Sequence, residues 1–259
     1  MSSSYIKDFW ENQAMKYRQS HVASWGDNFA IDLEIKNIAN YIKEGDHVLD
    51  VGSANGFSTF KQIQNNPASI TGVDFSESMI KYANEALALH PEKEKISFKV
   101  ADIRNLPFDD NLFDVVYTTR VVINLPSWEE QIKSIQECIR VTKKGGTLII
   151  SEAFWEPMVL LNSLRQLKQL KPLIEHDFNR YIKKEKLELF LNENAFSFSC
   201  NDFSSIYYLG SRFIRELVTN PAKYPGYSNP INNYFYDLEL EFSGGGFGIQ
   251  QAYIIKNKT

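Results

Sequence analysis

The stretch VLDVGSANGFST, Val48 to Thr59, decides the fold. An apolar run, HVLDVG (47–52), carries an acid near its end, and a glycine-bounded turn leads straight into a helical pattern beginning near Phe57. A strand that opens through small residues into a helix points amide N–H groups at a ligand, because glycine has no Cβ to hold the backbone away. Gly52 and Gly56 stand four apart with Ala54 between them, so the G-x-G-x-x-G spacing that seats a pyrophosphate is not met. Asp50, ahead of the first glycine, would repel a pyrophosphate and favour a cationic ligand. Ala54 is a small departure from glycine that narrows the permitted backbone only at positive φ.

Outward from this loop, short apolar runs alternate with helical patterns. SITGVD (69–74), ISFKVAD (96–102), FDVVYTT (113–119) and TLIISE (147–152) read as strands. SESMIKYANEALAL (76–89) reads as a helix capped by Ser76, and SWEEQIKSIQECIRVT (127–142) as a helix capped by Ser127 and closed by KKGG. Further helices are expected over PMVLLNSLRQLKQL, stopped by Pro172, and over 183–195. A sixth strand is expected within 196–205, and 247–256 reads as an edge strand. The pattern predicts an α/β fold: a Rossmann-like, doubly wound, mostly parallel seven-stranded sheet with helices on both faces. One domain, 1–259, would comprise an N-terminal cap (1–39), a cofactor-binding core (about 40–152) and a lid from insertions at about 153–182 and 206–243.

The bulk properties restrict the partners. Of 259 residues, 43% are apolar and 23% charged, enough for a sizeable core, and the net charge of −4 argues against a nucleic-acid footprint. Cys138 and Cys200 fit no metal spacing and read as reduced thiols, so no metal is expected. The first residues lack the apolar core of a signal peptide and no run approaches membrane-spanning length, so a cytoplasmic protein is expected, with no membrane partner.

A ligand with adenosine, no phosphate, and positive charges on an amine and a sulfonium fits the loop and its acid. The chain resembles the class I S-adenosylmethionine-dependent methyltransferases over roughly residues 40 to 152. The resemblance rests on Asp50-Val-Gly52-Ser-Ala54-Asn-Gly56, on Asp74 in GVDFS, on Asp102 in VADIRNLPF, and on the stretches 107–117 and 140–152. It implies S-adenosylmethionine as cofactor, with S-adenosylhomocysteine as product. It further implies that Asp74 accepts from the ribose hydroxyls and that Asp102 meets the adenine amino group. Phe75, Ile103 and Met79 would form the apolar wall, and Gly52, Ser53, Ala54, Gly56 and Thr119 would line the rest, with Asp50 organising the loop.

The acceptor pocket is expected at the carboxyl ends of the strands. Arg120, Tyr17 and His21 are the candidates for positioning an acceptor, and Asn124 lies in the same region. His176 beside Asp177 is a second candidate base, set against the reading of an ordinary surface histidine. Asn162, Arg165, Arg180, Tyr207, Tyr208, Arg212, Arg215 and Tyr224 suggest a lid for a small anionic acceptor, or else a half-exposed packing layer. The RVVINLPSWEEQ and NSLR runs resemble methyltransferases encoded with bacterial surface-polysaccharide genes, such as the capsule phosphoramidate O-methyltransferases. That implies O-methylation of a phosphoramidate or nucleotide-linked sugar phosphate. N-methylation of a small molecule, or a non-catalytic cofactor-binding subunit, are the alternatives. An aminopropyl transferase would need an acidic cluster that is lacking here, and the glycine spacing disfavours a nicotinamide oxidoreductase. Oligomeric state is not readable.

Overall fold

The computed structural model describes residues 3–220 and 226–258. Seven strands form one sheet in the order β3-β2-β1-β4-β5-β7-β6. They are β1 (His47–Val51), β2 (Ser69–Asp74), β3 (Ile96–Val100), β4 (Phe113–Thr119), β5 (Thr142–Ala153), β6 (Ser197–Asn201) and β7 (Gln250–Lys256). β1 to β5 are parallel, and β7 runs antiparallel to both of its neighbours. The fold is the expected Rossmann-like sheet, and its order reverses between β1 and β4, where open α/β sheets form their ligand crevice.

The helices follow from the apolar spacing and caps in the sequence. α1 (Ser3–Tyr17) and α2 (Asn28–Ala39) precede the sheet, and α3 (Phe57–Gln62) and α4 (Glu77–Leu87) connect β1 to β2 and β2 to β3. α5 (Trp128–Val141) joins β4 to β5. Ser76 and Ser127 accept the Met79 and Glu130 amides at 3.1 and 3.4 Å, as N-cap side chains do. α6 (Trp155–Leu167) and α7 (Lys184–Glu193) follow β5. The lid segment contains α8 (Ser205–Leu209), a π turn at Gly210–Ile214, α9 (Arg215–Val218) and α10 (Asn232–Glu241). A Cβ on Gly210 would sit 2.1 Å from the Phe235 ring, so this glycine lets α10 cross closely.

Three expectations change. The run ending the chain is not at the edge: β7 lies between β5 and β6, and its buried QQAYII segment is covered on both sides, leaving β6 as the outer strand. KKGG does not close α5. The helix ends at Val141 and the chain enters β5 at Thr142, with Gly145 (φ +78) inside the long, irregularly paired strand. Tyr207 and Tyr208, in the segment expected to form a lid, are not half-exposed but buried in the main core, whereas Tyr227 and Tyr234 are exposed. Tyr224 lies outside the described residues. No helix among the described residues is long and apolar enough to cross a membrane.

Candidate active site

The glycine loop hangs from the end of β2, since the Gly52 and Ser53 amides both donate to the Val73 carbonyl at 2.8 and 2.9 Å. Gly52 has φ +85, and a Cβ there would lie 2.8 Å from the Val121 Cβ, so its bareness lets the loop rest against the turn after β4. Ala54 takes φ +46, the region where a Cβ is strained. The alanine is therefore held in the one backbone shape that disfavours it.

Asp50 is fully buried beneath this loop. Its Oδ2 accepts from the Thr59 hydroxyl at 2.6 Å. Among the described residues the Ser53 hydroxyl is buried without a hydrogen-bond partner, while the Tyr117 hydroxyl lies beside Asp50. Burial pushes the Asp50 carboxyl up to about 7; Thr59 and Tyr117 pull it down, and the charges of Asp74 and Glu34 add to the rise. Asp50 and Ser53 both line the cleft, and the unmet Ser53 hydroxyl points to a polar ligand there.

Asp74, at the end of β2, accepts from the Ala54 amide through Oδ2 at 3.0 Å and from the Ser76 amide through Oδ1 at 2.9 Å. Burial lifts its carboxyl to about 6, against the pull of these donors. Each oxygen keeps a lone pair for a ligand hydroxyl. Asp102 is clasped by its neighbour: Arg104 donates from Nε to both oxygens at 3.0 and 3.1 Å and from Nη2 at 2.6 Å. Partial burial raises the Asp102 carboxyl, but Arg104 outweighs it and holds the group below the ordinary carboxylate range.

The cleft encloses about 1090 Å³ including its mouth and brings together Asp50, Gly52, Ser53, Ala54, Asp74, Phe75, Met79, Asp102, Ile103 and Thr119. Gly56 stands behind it as the N-cap of α3, at φ +82. An N-terminal cap was expected, but not the residues that make it: Ile6 and Trp10 of α1 line the cleft. Trp10 Nε1 donates to Asn124 Oδ1 at 2.8 Å, and Glu11 accepts from the Ser78 amide at 3.2 Å. Nor was the role of Asn55 expected: its side-chain amide donates to the Arg18 and Ser20 carbonyls at 2.7 and 2.8 Å and so ties the N-terminal segment to the loop.

Beyond β4 the chain makes a tight turn around another buried acid. Glu152 accepts from the Thr118 hydroxyl at 2.9 Å and from the amides of Val121, Val122 and Ile123 at 3.1, 3.1 and 3.3 Å. Burial carries its carboxyl up to about 7 despite these donors. Arg120, at φ +55, begins the turn and lines the cleft. Its guanidinium pairs with the buried Glu34 and lies 5.0 Å over the Trp25 ring.

Of the other candidates, neither Tyr17 nor His21 lines the cleft: Tyr17 packs beside Met79, and His21 rests on Phe57 with ring centroids 5.5 Å apart. His176 sits 5.9 Å from the Phe9 ring, in a separate groove that also holds Asp177, Asn162 and Arg180. The lid arginines expected to hold an anion have protein partners. Arg212 pairs with buried Asp27, while Arg165 and Arg215 pair with Glu216 at 2.9 and 3.4 Å. Arg180 donates to the Asp177 and Asn179 carbonyls at 3.3 and 2.7 Å. Packing a long basic chain inward satisfies carboxylates that burial would otherwise leave alone.

The methyltransferase domain family matches residues 42–195. A demethylmenaquinone methyltransferase of Desulfitobacterium hafniense is 46% identical over 80 residues, 31% of this chain and 30% of that protein. The matched segments span between 30% and 42% of the lengths of the first curated relatives. The fold aligns with the methyltransferase bound to the Trm112 activator of Haloferax volcanii, at TM-score 0.63 and 15% identity, over 96% of this chain and 98% of that one. It also aligns with a geranyl diphosphate C-methyltransferase of Streptomyces coelicolor in complex with S-adenosylhomocysteine, at TM-score 0.55 and 14% identity, over 86% and 77% of the two chains. With the acids at positions 50 and 74 converging on one cleft beneath a glycine loop, and the family matched over more than half of its length, the chain belongs to the class I S-adenosylmethionine-dependent methyltransferases.

Proposed function

We propose that this chain methylates an oxygen of a small acceptor that reaches the site already ionised. When bound, S-adenosylmethionine supplies an electrophilic methyl group on a sulfonium. Asp74 would hold the ribose hydroxyls, and Asp102 with Phe75, Ile103 and Met79 would seat the adenine. The Gly52–Gly56 loop over Asp50, with Thr119, would hold the methionine end. The whole chain, 1–259, would act as one unit, with α1 roofing the core and the helices after residue 153 closing the acceptor side.

The observation that carries the acceptor reading is the set of side chains around the cleft. Among the described residues it contains no histidine, lysine, cysteine or tyrosine, and Asp50 lies beneath the loop. An in-line displacement depends mainly on positioning, and an ionised oxygen needs no base. Arg120 would supply the positioning, because its Nε and Nη2 make no hydrogen bond among the described residues. Phosphoramidates, sugar phosphates and phenols all meet this description.

The test is S-adenosylhomocysteine formation across a panel of phenolic, carboxylate and phosphoryl acceptors at varied pH. The break in the rate profile should move with the ionisation of each acceptor. A break fixed at one pH for every acceptor would reveal an enzyme base and overturn the reading.

A further inference from the structure

α2 carries two fully buried acids, Asp27 at its N-cap and Glu34 within it. They are seven residues apart, about two helical turns, and so share one face. Each meets an arginine brought from elsewhere: Asp27 takes Arg212 of the lid, and Glu34 takes Arg120 of the turn after β4. Between the pairs stands Trp25, which lies under the Arg120 guanidinium and makes an edge contact with Tyr227, ring centroids 6.1 Å apart. Tyr227 in turn lies 4.7 Å under the Arg212 guanidinium.

Glu34 is the more consequential of the two, because its arginine lines the cofactor cleft. Its Oε1 accepts from the Ser151 hydroxyl at 2.8 Å and from the Gln250 amide at 3.0 Å, while Oε2 takes Arg120 Nη1. This fixes the guanidinium face on Trp25 and leaves Nε and Nη2 without acceptors among the described residues. The carboxylate also cancels the guanidinium charge. The field of Glu34 reaches the floor of the cleft, where it helps to raise the Asp50 carboxyl.

We infer that Glu34 is a positioning residue that sets the charge of the methyl-transfer chamber. It holds Arg120 as a neutralised hydrogen-bond donor, which narrows the acceptors named above to monoanionic oxygens and excludes dianions, simple sugar phosphates among them. Charge on the acceptor is then met by the sulfonium and not by an unpaired arginine. This inference rests on the methyltransferase reading above.

The test uses Glu34→Gln, Arg120→Met and the double variant, titrated calorimetrically with S-adenosylmethionine, S-adenosylhomocysteine and inorganic phosphate. Glu34→Gln leaves one unbalanced positive charge, so the cationic cofactor should weaken about tenfold more than its neutral-sulfur product. The same variant should acquire phosphate binding that the wild type lacks. Arg120→Met should shift the cofactor-to-product ratio the other way, and the double variant should return it to within about twofold of the wild type. Binding of S-adenosylhomocysteine by each variant reports an intact fold. Parallel weakening of both ligands in Glu34→Gln, or a double variant that keeps the single variant's ratio, would reduce Glu34 to a packing residue and overturn the inference. If the wild type bound neither adenosyl ligand, the cofactor reading would fail first and this inference with it.

Discussion

Asp74 Oδ2 accepts the Ala54 amide at 3.0 Å, so the carboxylate proposed to hold the ribose also holds the strained residue of the glycine loop. The loop and the ribose-side acid act as one piece, and disturbing either should be felt by the other.

Ala54→Gly relieves a left-handed alanine, worth about 1 kcal/mol, and gives back about half of that in backbone entropy. The melting temperature should rise by about 1–2 °C, with S-adenosylhomocysteine affinity held within about twofold. A melting temperature below the wild type would show that the backbone at position 54 is not strained.

Gly52→Ala combines φ +85 with a Cβ only 2.8 Å from that of Val121. Either the loop or the turn after β4 must move. Cofactor affinity should fall at least about tenfold by calorimetry, and the protein should lose about 1–3 kcal/mol of stability in urea. An unchanged affinity would place the cofactor away from this loop.

The buried acids give stability a definite pH trend. Asp50 and Glu152 rise to about 7 and Asp74 to about 6, all from ordinary carboxylate values, chiefly by burial. Between about pH 4 and 7 the native state therefore binds more protons than the unfolded chain, and unfolding free energy falls as pH rises. Ligand-free protein should be more stable near pH 5 than near pH 8 by chemical denaturation. The opposite slope across that window would mean these carboxyls are ionised without cost.

One of the side-chain contacts that hold the roof is Trp10 to Asn124 at 2.8 Å. Asn124→Ala removes an acceptor worth about 1 kcal/mol, so S-adenosylhomocysteine should leave about fivefold faster in stopped-flow fluorescence. An unchanged release rate would show that α1 does not limit escape.

The strand, acid and glycine loop at 48–59 were readable in the sequence because their chemistry is local. The acids at 74 and 102 were readable because each follows a short apolar run. The position of β7 was not, since an antiparallel strand between β5 and β6 is set by partners about a hundred residues away in β5 and more than fifty away in β6, and not by its own pattern. Asp27 and Glu34 look like ordinary acids of an exposed helix in DNFAIDLEIKN; only the approach of Arg212, 185 residues later, and Arg120, 86 residues later, shows them buried. The same distances explain why the lid arginines read as free for an anion. Arg165, Arg212 and Arg215 have carboxylate partners that no local spacing announces.

The most direct test is calorimetry of the wild type and Asp74→Ala with S-adenosylmethionine, S-adenosylhomocysteine and NAD. The expected result is binding of both adenosyl ligands by the wild type, no detectable NAD binding, and a loss of at least about tenfold in the variant, as removal of a charged hydrogen-bond acceptor entails. Tight NAD binding, or adenosyl affinities indifferent to the loss of Asp74, would contradict the assignment of this cleft.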